Sequence, residues 1–250
     1  MREMTIGKND AGQRLDRFLS KALPLLPPAL AQKYIRIKRV KVNGGRAQRE
    51  QRLREGDVLQ LYINDEFFDK PSEENMFLTL FKPRLTVVYE DEHILLADKP
   101  QGLVVHADET EKVNTLINHI QAYLYQKREW NPRWENAFTP ALCNRIDRNT
   151  GGIVIAAKDA ETLRILNEKI RSRELDKRYL CVTVGRPKQP EGRVECFLLK
   201  DEQKKQVSVY HRPVPGGKTA VTDYRMLDTR GELSLLEIGL ETGRTHQIRV

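Results

Sequence analysis

Apolar residues recur at helical spacing in four stretches of the chain, and ten other stretches show alternating or short continuous apolar runs. The first pattern is typical of amphipathic helices and the second of strands. The predicted helices cover residues 15–23, 29–37, 114–126 and 159–175. The predicted strands cover residues 40–42, 58–63, 87–89, 94–97, 153–157, 179–184, 194–199, 207–210, 220–227 and 233–240. Many strands with few helices between them predict an α+β fold with a mixed, largely antiparallel sheet flanked by helices.

One stretch, NRIDRNTGGIVIAAK from Asn144 to Lys158, combines charged residues with a short apolar run that predicts a buried strand. The two glycines before the apolar run permit a tight turn. Asp147 lies between Arg145 and Arg148 in the sequence, and nearby positive charge favours an ionised carboxylate. Two interpretations follow: an ion pair at the edge of a strand, or a carboxylate that does chemistry.

The excess positive charge of the chain is concentrated at its N-terminal end. Residues 1–64 contain 14 Lys and Arg against 6 Asp and Glu, whereas the rest of the chain contains 29 of each. A compact basic segment is typical of proteins that bind a polyanion such as nucleic acid, and a solvated basic face is the ordinary alternative.

Three parts are predicted along the chain. Residues 1–63 form a small basic α/β module with two helices followed by strands, residues 64–84 form an acidic linker, and residues 85–250 form a larger second domain. The candidate RNA-binding residues of the module lie near the end of its second helix: Lys33, Arg36, Lys38 and Arg39. Such side chains contact phosphates, which gives affinity without reading bases.

Several classes of protein are disfavoured by composition. No apolar run approaches the ~20 residues that span a bilayer, and the N-terminus lacks a signal-peptide pattern, so a cytoplasmic protein is expected. The three cysteines lack disulfide-framework and metal-ligand spacing, which predicts reduced thiols and no metal site. The glycine patterns that cradle dinucleotides and nucleoside triphosphates are also absent from the sequence.

Three segments, in order along the chain, resemble the signature motifs of the RluA-type family of RNA pseudouridine synthases. They are the Asn144–Lys158 stretch, the segment DKRYLCV from Asp176 to Val182, and the segment GRTHQIR from Gly243 to Arg249. Two departures occur, because Asn144 stands where most members have His and Gly151 where many have Ser. The N-terminal module resembles the alpha-L RNA-binding module, which also occurs in a small-subunit ribosomal protein.

The resemblance implies isomerisation of uridine to pseudouridine within RNA, without net redox or hydrolysis and therefore without a cofactor. By matching positions, Asp147 is the essential carboxylate and Arg244 is the partner that holds it ionised and oriented. Tyr179 would lie against the uracil and assist proton transfer at C5, while Ile248 would pack under the base. Arg145 would occupy the space left by the target nucleotide when it leaves its stack. Whether the carboxylate adds to the sugar, adds to the base or takes a proton from the ribose stays open.

Two other functions are considered. A non-catalytic RNA-binding or RNA-chaperone protein on the same fold would be favoured by loss of catalytic residues, but Asp147, Tyr179 and Arg244 are all present. Glycoside hydrolysis requires two carboxylates across the scissile bond, and the motifs offer only Asp176 and Glu241 besides Asp147. A pseudouridine synthase is therefore the favoured prediction.

The expected partner is RNA, with ribosomal RNA first and transfer RNA second, and the expected state is a monomer away from membranes. The chain ends at Val250, directly after the third motif and within a predicted strand, whereas family members generally continue further. The expectation is therefore either a truncated protein or an unusually short member of the family.

Overall fold

The computed structural model describes residues 1–69, 72–80, 82–201 and 206–250, with the backbone alone for residues 72–75. The chain forms two compact units, Met1–Asn167 and Glu168–Val250. Residues 70, 71 and 81 of the predicted linker lie outside the described residues. The predicted division into 1–63, 64–84 and 85–250 stays a prediction.

The first unit begins with a small module of two helices and a four-stranded antiparallel sheet. The helices are α1 (Leu15–Ala22) and α2 (Pro28–Arg36). The strands are β1 (Arg2–Thr5), β2 (Val40–Val42), β3 (Gly45–Arg46) and β4 (Val58–Leu61), in the order β1-β4-β2-β3. α1 buries Leu15, Phe18 and Leu19, which its helical spacing places on one face. Proline at the start of α2 suits the first helical turn, where its missing N–H would be unpaired in any case.

The rest of the first unit is built on a second four-stranded antiparallel sheet. Two 3₁₀ helices, Asp65–Phe68 and Ser72–Thr79, precede it. Its strands are β5 (Thr86–Glu90), β6 (Ile94–Lys99), β7 (Ala141–Leu142) and β8 (Gly152–Ala157), in the order β5-β6-β8-β7. Helix α3 (Leu116–Gln126) packs in one core cluster with the buried side chains of β6 and β8. The core contains Val154 and Ala156 of β8 and packs against Leu142 of β7, and the candidate catalytic loop connects these two strands.

Polar contacts join the N-terminal module to the rest of the first unit. The Asn136 side chain donates to the Thr5 carbonyl and to Asp10 Oδ2, each at 2.8 Å. Asn9 Nδ2 donates to Glu135 Oε1 at 2.9 Å. Because Asp10 is only 1% exposed, the hydrogen bond from Asn136 pairs a buried carboxylate oxygen that water does not reach.

Helix α4 (Ala160–Arg171) contains the division between the units, and the second unit continues as a five-stranded sheet. Its strands are β9 (Arg178–Val184), β10 (Glu191–Asp201), β11 (Gln206–Tyr210), β12 (Lys218–Arg230) and β13 (Leu233–Leu240). The strand order is β11-β10-β12-β13-β9, and all four pairings are antiparallel. The position of β9 at the sheet edge matters below because this strand carries Tyr179.

The α+β prediction is confirmed. The four predicted helices and the ten predicted strands whose bounds are given above are all present, most with shifted ends, and the strands 40–42 and 233–240 keep their predicted bounds. The sequence did not predict β1, β3, β7 or the two 3₁₀ helices. The prediction of a strand at the end of the chain is wrong, because residues 241–250 form bends and turns. Within the described ranges, no helix is long and apolar enough to cross a membrane.

Candidate active site and RNA-binding surface

Asp147 lies in the loop that connects β7 to β8, and Asn144 fixes the start of this loop. The Asn144 side chain accepts a hydrogen bond from the Ile155 N–H at 2.8 Å and donates to the Ile153 carbonyl at 3.2 Å. Two backbone groups of β8 are therefore paired by one side-chain amide. The asparagine at this position, which departs from the family pattern, has a structural role that needs both a donor and an acceptor.

A buried lysine fixes the loop just after Asp147. Lys99 is fully buried, and its Nζ donates to the carbonyls of Pro100, Leu103 and Arg148 at 2.9, 2.7 and 3.0 Å. The Gly102 N–H donates to the same Arg148 carbonyl at 2.8 Å, from a backbone with φ of 88° that favours glycine. Burial lowers the pKa of Lys99, and the negative charge of Asp147 opposes that shift. The ammonium group thus holds the residue that follows the candidate carboxylate.

The Arg148 side chain is fixed by an acidic turn. Its Nη2 donates to Asp108 Oδ2 at 2.9 Å and to Thr110 Oγ1 at 2.7 Å. Hydrogen bonds from Thr110, its hydroxyl first, hold the pKa of Asp108 well below the usual range, so this carboxylate stays ionised. Of the two arginines that flank Asp147 in the sequence, Arg148 is therefore engaged by another carboxylate.

Arg145 and Ile146 precede Asp147 in the loop and differ in burial. Ile146 packs against the core of α3 and the β6–β8 sheet, whereas the Arg145 side chain is exposed. Desolvation and then the positive charge of Arg145 lower the pKa of His106, which favours the neutral form of this ring. The core contact of Ile146 limits movement of the residue next to Asp147.

We expect Lys99→Met to weaken the loop and the unit that carries it. The substitution leaves buried carbonyls without their donor, which should lower the free energy of unfolding by about 1–3 kcal/mol. Turnover should fall as well, because Asp147 loses part of its positional restraint. Thermal melting and release of tritium from RNA labelled at uracil C5 measure the two effects. Lys188→Met is the control, because this lysine is exposed. If Lys99→Met leaves both the melting temperature and the rate of tritium release unchanged, the loop is held without this ammonium group.

In the second unit, Gln247 fixes the segment that carries Arg244. Its Oε1 accepts from the Arg244 N–H and the Thr242 hydroxyl, each at 2.9 Å. Its Nε2 donates to the Val221 carbonyl at 3.0 Å and to the Thr222 hydroxyl at 2.8 Å. All four hydrogen bonds that the amide can make are formed, which ties the segment to β12.

Arg244 is itself oriented by a backbone group, and a second cation lies near it. Its Nε–H donates to the Thr219 carbonyl at 2.9 Å. Burial, followed by the positive charges of Arg173 and Arg244, lowers the pKa of Lys177. The second motif and the third motif thus contribute neighbouring positive charges to the second unit.

Tyr179 is the second residue of β9 and pairs with Ile238 of β13. Its ring is half-buried, and so is the side chain of Ile248. An aromatic ring on an edge strand combines a flat apolar surface with a polar hydroxyl, as the proposed contact with a base requires.

The predicted RNA-binding residues of the module lie on or just after α2, and all four are exposed. Arg39 lies over the ring of Tyr34, with 5.4 Å from Cζ to the ring centroid. Lys38 has a φ of 63°, which is uncommon for a non-glycine residue and marks a tight turn after the helix. The surface is therefore basic, as the sequence predicted.

The predicted site residues fall into two groups. Asp147 and Arg145 lie in one loop of the first unit, whereas Tyr179, Arg244 and Ile248 belong to the second unit. The pairing of Arg244 with Asp147 stays a prediction. Sequence reasoning did not assign the supporting residues Lys99, Asp108 and Gln247. Across the described residues, no group of three or more His, Cys, Asp or Glu side chains is placed to hold a metal ion.

Comparison with known families identifies this class of fold and site. Residues 93–250 match the family model described as RNA pseudouridylate synthase, and residues 13–59 match the model of the S4 domain. The chain belongs to the RNA pseudouridylate synthase family and is an isomerase that acts on RNA. The resemblance to this family and to the ribosomal-protein-like module is confirmed.

Individual relatives resemble the chain over nearly its whole length. The uncharacterized RNA pseudouridine synthase of Mycoplasma genitalium is 31% identical over 98% of this chain and 75% of its own. Ribosomal large subunit pseudouridine synthase D of Borreliella burgdorferi is 31% identical over 100% of this chain and 74% of its own. The solved structure of human RNA pseudouridylate synthase domain containing 4 shares the fold, with a TM-score of 0.53 and 22% identity over 72% of this chain and 66% of that one.

Proposed function

We propose that this enzyme isomerises specific uridines in large-subunit ribosomal RNA and that the Asp147 carboxylate carries the chemistry. The observation that supports the catalytic assignment is the double restraint on the Arg148 carbonyl, from the buried Lys99 ammonium and the Gly102 N–H. A loop held this firmly presents the preceding carboxylate in a fixed position, as a catalytic group requires. The ribosomal substrate is supported by the name of the Borreliella burgdorferi relative.

The reaction breaks the N1–C1′ bond, rotates the uracil and joins C5 to C1′, after which C5 loses its proton. Asp147 acts on the nucleotide as a nucleophile or as a base for the ribose, and Arg244 keeps it ionised and oriented. Tyr179 lies against the uracil and takes part in proton transfer at C5, while Ile248 packs under the base. Arg145 fills the stack that the target nucleotide leaves.

The same proposal includes the cofactor requirement, the oligomeric state and the cellular compartment of the enzyme. The isomerisation has no net redox or hydrolysis, so it needs no cofactor. The enzyme works as a cytoplasmic monomer on RNA through phosphate contacts of Lys33, Arg36, Lys38 and Arg39. Transfer RNA is the second candidate substrate.

The decisive experiment maps pseudouridines in cells with and without this protein by carbodiimide-dependent primer extension. We expect one or more pseudouridines of large-subunit ribosomal RNA to disappear without the protein and to return when it is restored. If pseudouridines disappear only from transfer RNA, transfer RNA is the substrate and ribosomal RNA is rejected. An unchanged map in both RNA classes, with RNA binding retained, would favour a non-catalytic RNA-binding role.

A further inference from the structure

The N-terminal module has a groove between α2 and the segment 46–49, which begins with the last residue of β3. Its volume is about 700 Å³. One wall is formed by Gln32, Lys33 and Arg36 of α2, and the other by residues 46–49. This volume lies within the range of about 300–1,000 Å³ that holds small ligands, and it exceeds the space that a single phosphate requires.

The groove is positively charged, and none of the described residues that line it is acidic. Its cations are Lys33, Arg36, Arg46 and Arg49. Arg49 is anchored by Asp16, with 3.0 Å between Nε and Oδ2. In the part of the chain that the structure describes, the other three cations have no ion-pair partner, so their charge is available to an anion in the groove.

The groove also has features that phosphate binding alone does not need. The exposed Ala29 lines it, and the buried side chains of Ile35 and Ala47 lie beneath its floor, so part of its lining is apolar. The side-chain amides of Gln32 and Gln48 line it too, and neither makes a hydrogen bond within the described ranges. Each amide offers a donor pair and an acceptor, the groups that pair with the edge of a base.

The groove therefore offers an apolar lining, two side-chain amides and the three cations whose charge is available. These match the three parts of a nucleotide: the base face, the base edge and the flanking phosphates. Sequence-specific recognition of RNA acts mainly on unpaired nucleotides, because their edges and faces are accessible. We propose that this groove binds one unpaired nucleotide of the substrate RNA, with Gln32 and Gln48 on the base edge and the cations on the adjacent phosphates. The module then contributes sequence preference as well as affinity. This inference rests on the proposed function only in taking RNA as the ligand.

The test uses the full chain and a pool of RNA hairpins with randomised loops. Bound RNAs are sequenced, and affinity is measured across a series of salt concentrations. For the wild-type protein we expect one base to be enriched at an unpaired position by about 5-fold or more, as one specific base contact provides. The double variant Gln32→Leu, Gln48→Leu should lose this enrichment while the slope of log K against log salt stays unchanged.

A matched charge variant separates base reading from phosphate binding. Arg36→Gln should retain the base preference but reduce the salt slope by about 0.7–0.9, the contribution of one phosphate contact. Lys21→Gln, on α1 and outside the groove, controls for general loss of positive charge. All variants are checked by thermal melting, and the exposed positions of both glutamines favour retention of the fold.

Three results would overturn the inference: no enriched base with the wild-type protein, enrichment that survives in the double glutamine variant, or equal binding of loop and fully paired RNAs. Because binding is measured without turnover, failure here is distinct from failure of the proposed catalytic function. A base preference in the hairpin pool together with an unchanged cellular pseudouridine map would support nucleotide binding in the groove. The same result would reject ribosomal RNA as the substrate of the isomerisation.

Discussion

Asp147→Asn is expected to abolish isomerisation while the protein stays folded and still binds RNA. The amide keeps the shape of the carboxylate but removes its negative charge and nearly all of its nucleophilicity and basicity. Loss of a group that moves a proton costs about 10²–10⁴ in rate, and loss of a covalent route costs at least as much. The loop itself should survive, because the Thr150 N–H donates to the backbone carbonyl of Asp147 at 3.0 Å and the Lys99 contact is with the next residue.

Thermal melting, an RNA gel shift and tritium release from C5-labelled uridine RNA measure these three properties separately. Asp176→Asn is the matched control, because it removes an exposed carboxylate of the second motif. In the wild-type protein, Asp176 Oδ2 lies 3.8 Å from Arg178 Nη2. The substitution should leave turnover close to normal, which also tests the idea of a second catalytic carboxylate there. A folded Asp147→Asn protein that releases tritium at the wild-type rate would reject the catalytic assignment.

The periodicity of the sequence predicted the long elements because their apolar faces are extensive. It could not predict β1, whose four residues REMT are mostly exposed and pair with β4 from far along the chain. The 3₁₀ helices were missed for a related reason: their residues follow no 3.6-residue pattern, and a 3₁₀ helix has a different period. Non-local pairing and short irregular helices leave little trace in local periodicity.

The candidate site shows a similar limit. Motif residues such as Asp147 could be found by resemblance, but the residues that hold them depend on burial. Lysine is almost never fully buried, so Lys99, which follows the predicted strand 94–97, was assigned no role. A signal was nevertheless present, since the alternation of β6 places Lys99 on the same buried face as Leu95 and Ala97. A charged residue on the apolar face of a strand indicates a buried polar contact.

The end of the chain illustrates how side-chain hydrogen bonds change a strand prediction. The GRTHQIR segment has apolar and β-branched residues, yet it forms turns. Gln247 bonds to the backbone and side chains of neighbouring segments, and His246 has a φ of 58° that a strand does not allow. Local hydrogen bonds from a polar side chain therefore replace a β-ladder here.

Arg244→Met is expected to reduce turnover strongly, by about 10²–10³-fold, the loss typical for a group that stabilises charge in an active site. The substitution keeps side-chain length and removes the positive charge. The fold should be retained, because Gln247 holds the backbone N–H of Arg244. Among the described residues, the one side-chain hydrogen bond that is lost runs from Nε to the Thr219 carbonyl. Arg244→Lys should retain part of the activity, since it keeps the charge but not the planar guanidinium.

A double-mutant cycle with Asp147→Asn decides how Arg244 acts. If Arg244 acts by orienting the Asp147 carboxylate, the double variant should be no slower than Asp147→Asn alone, because the second substitution removes a partner that no longer has a function. Independent effects would instead multiply. In that case a phosphate-binding role predicts that Arg244→Met also lowers the salt slope of RNA binding by about 0.7–0.9. Non-additive rates with an unchanged salt slope would establish the pairing, whereas additive rates with a reduced slope would assign Arg244 to the RNA backbone.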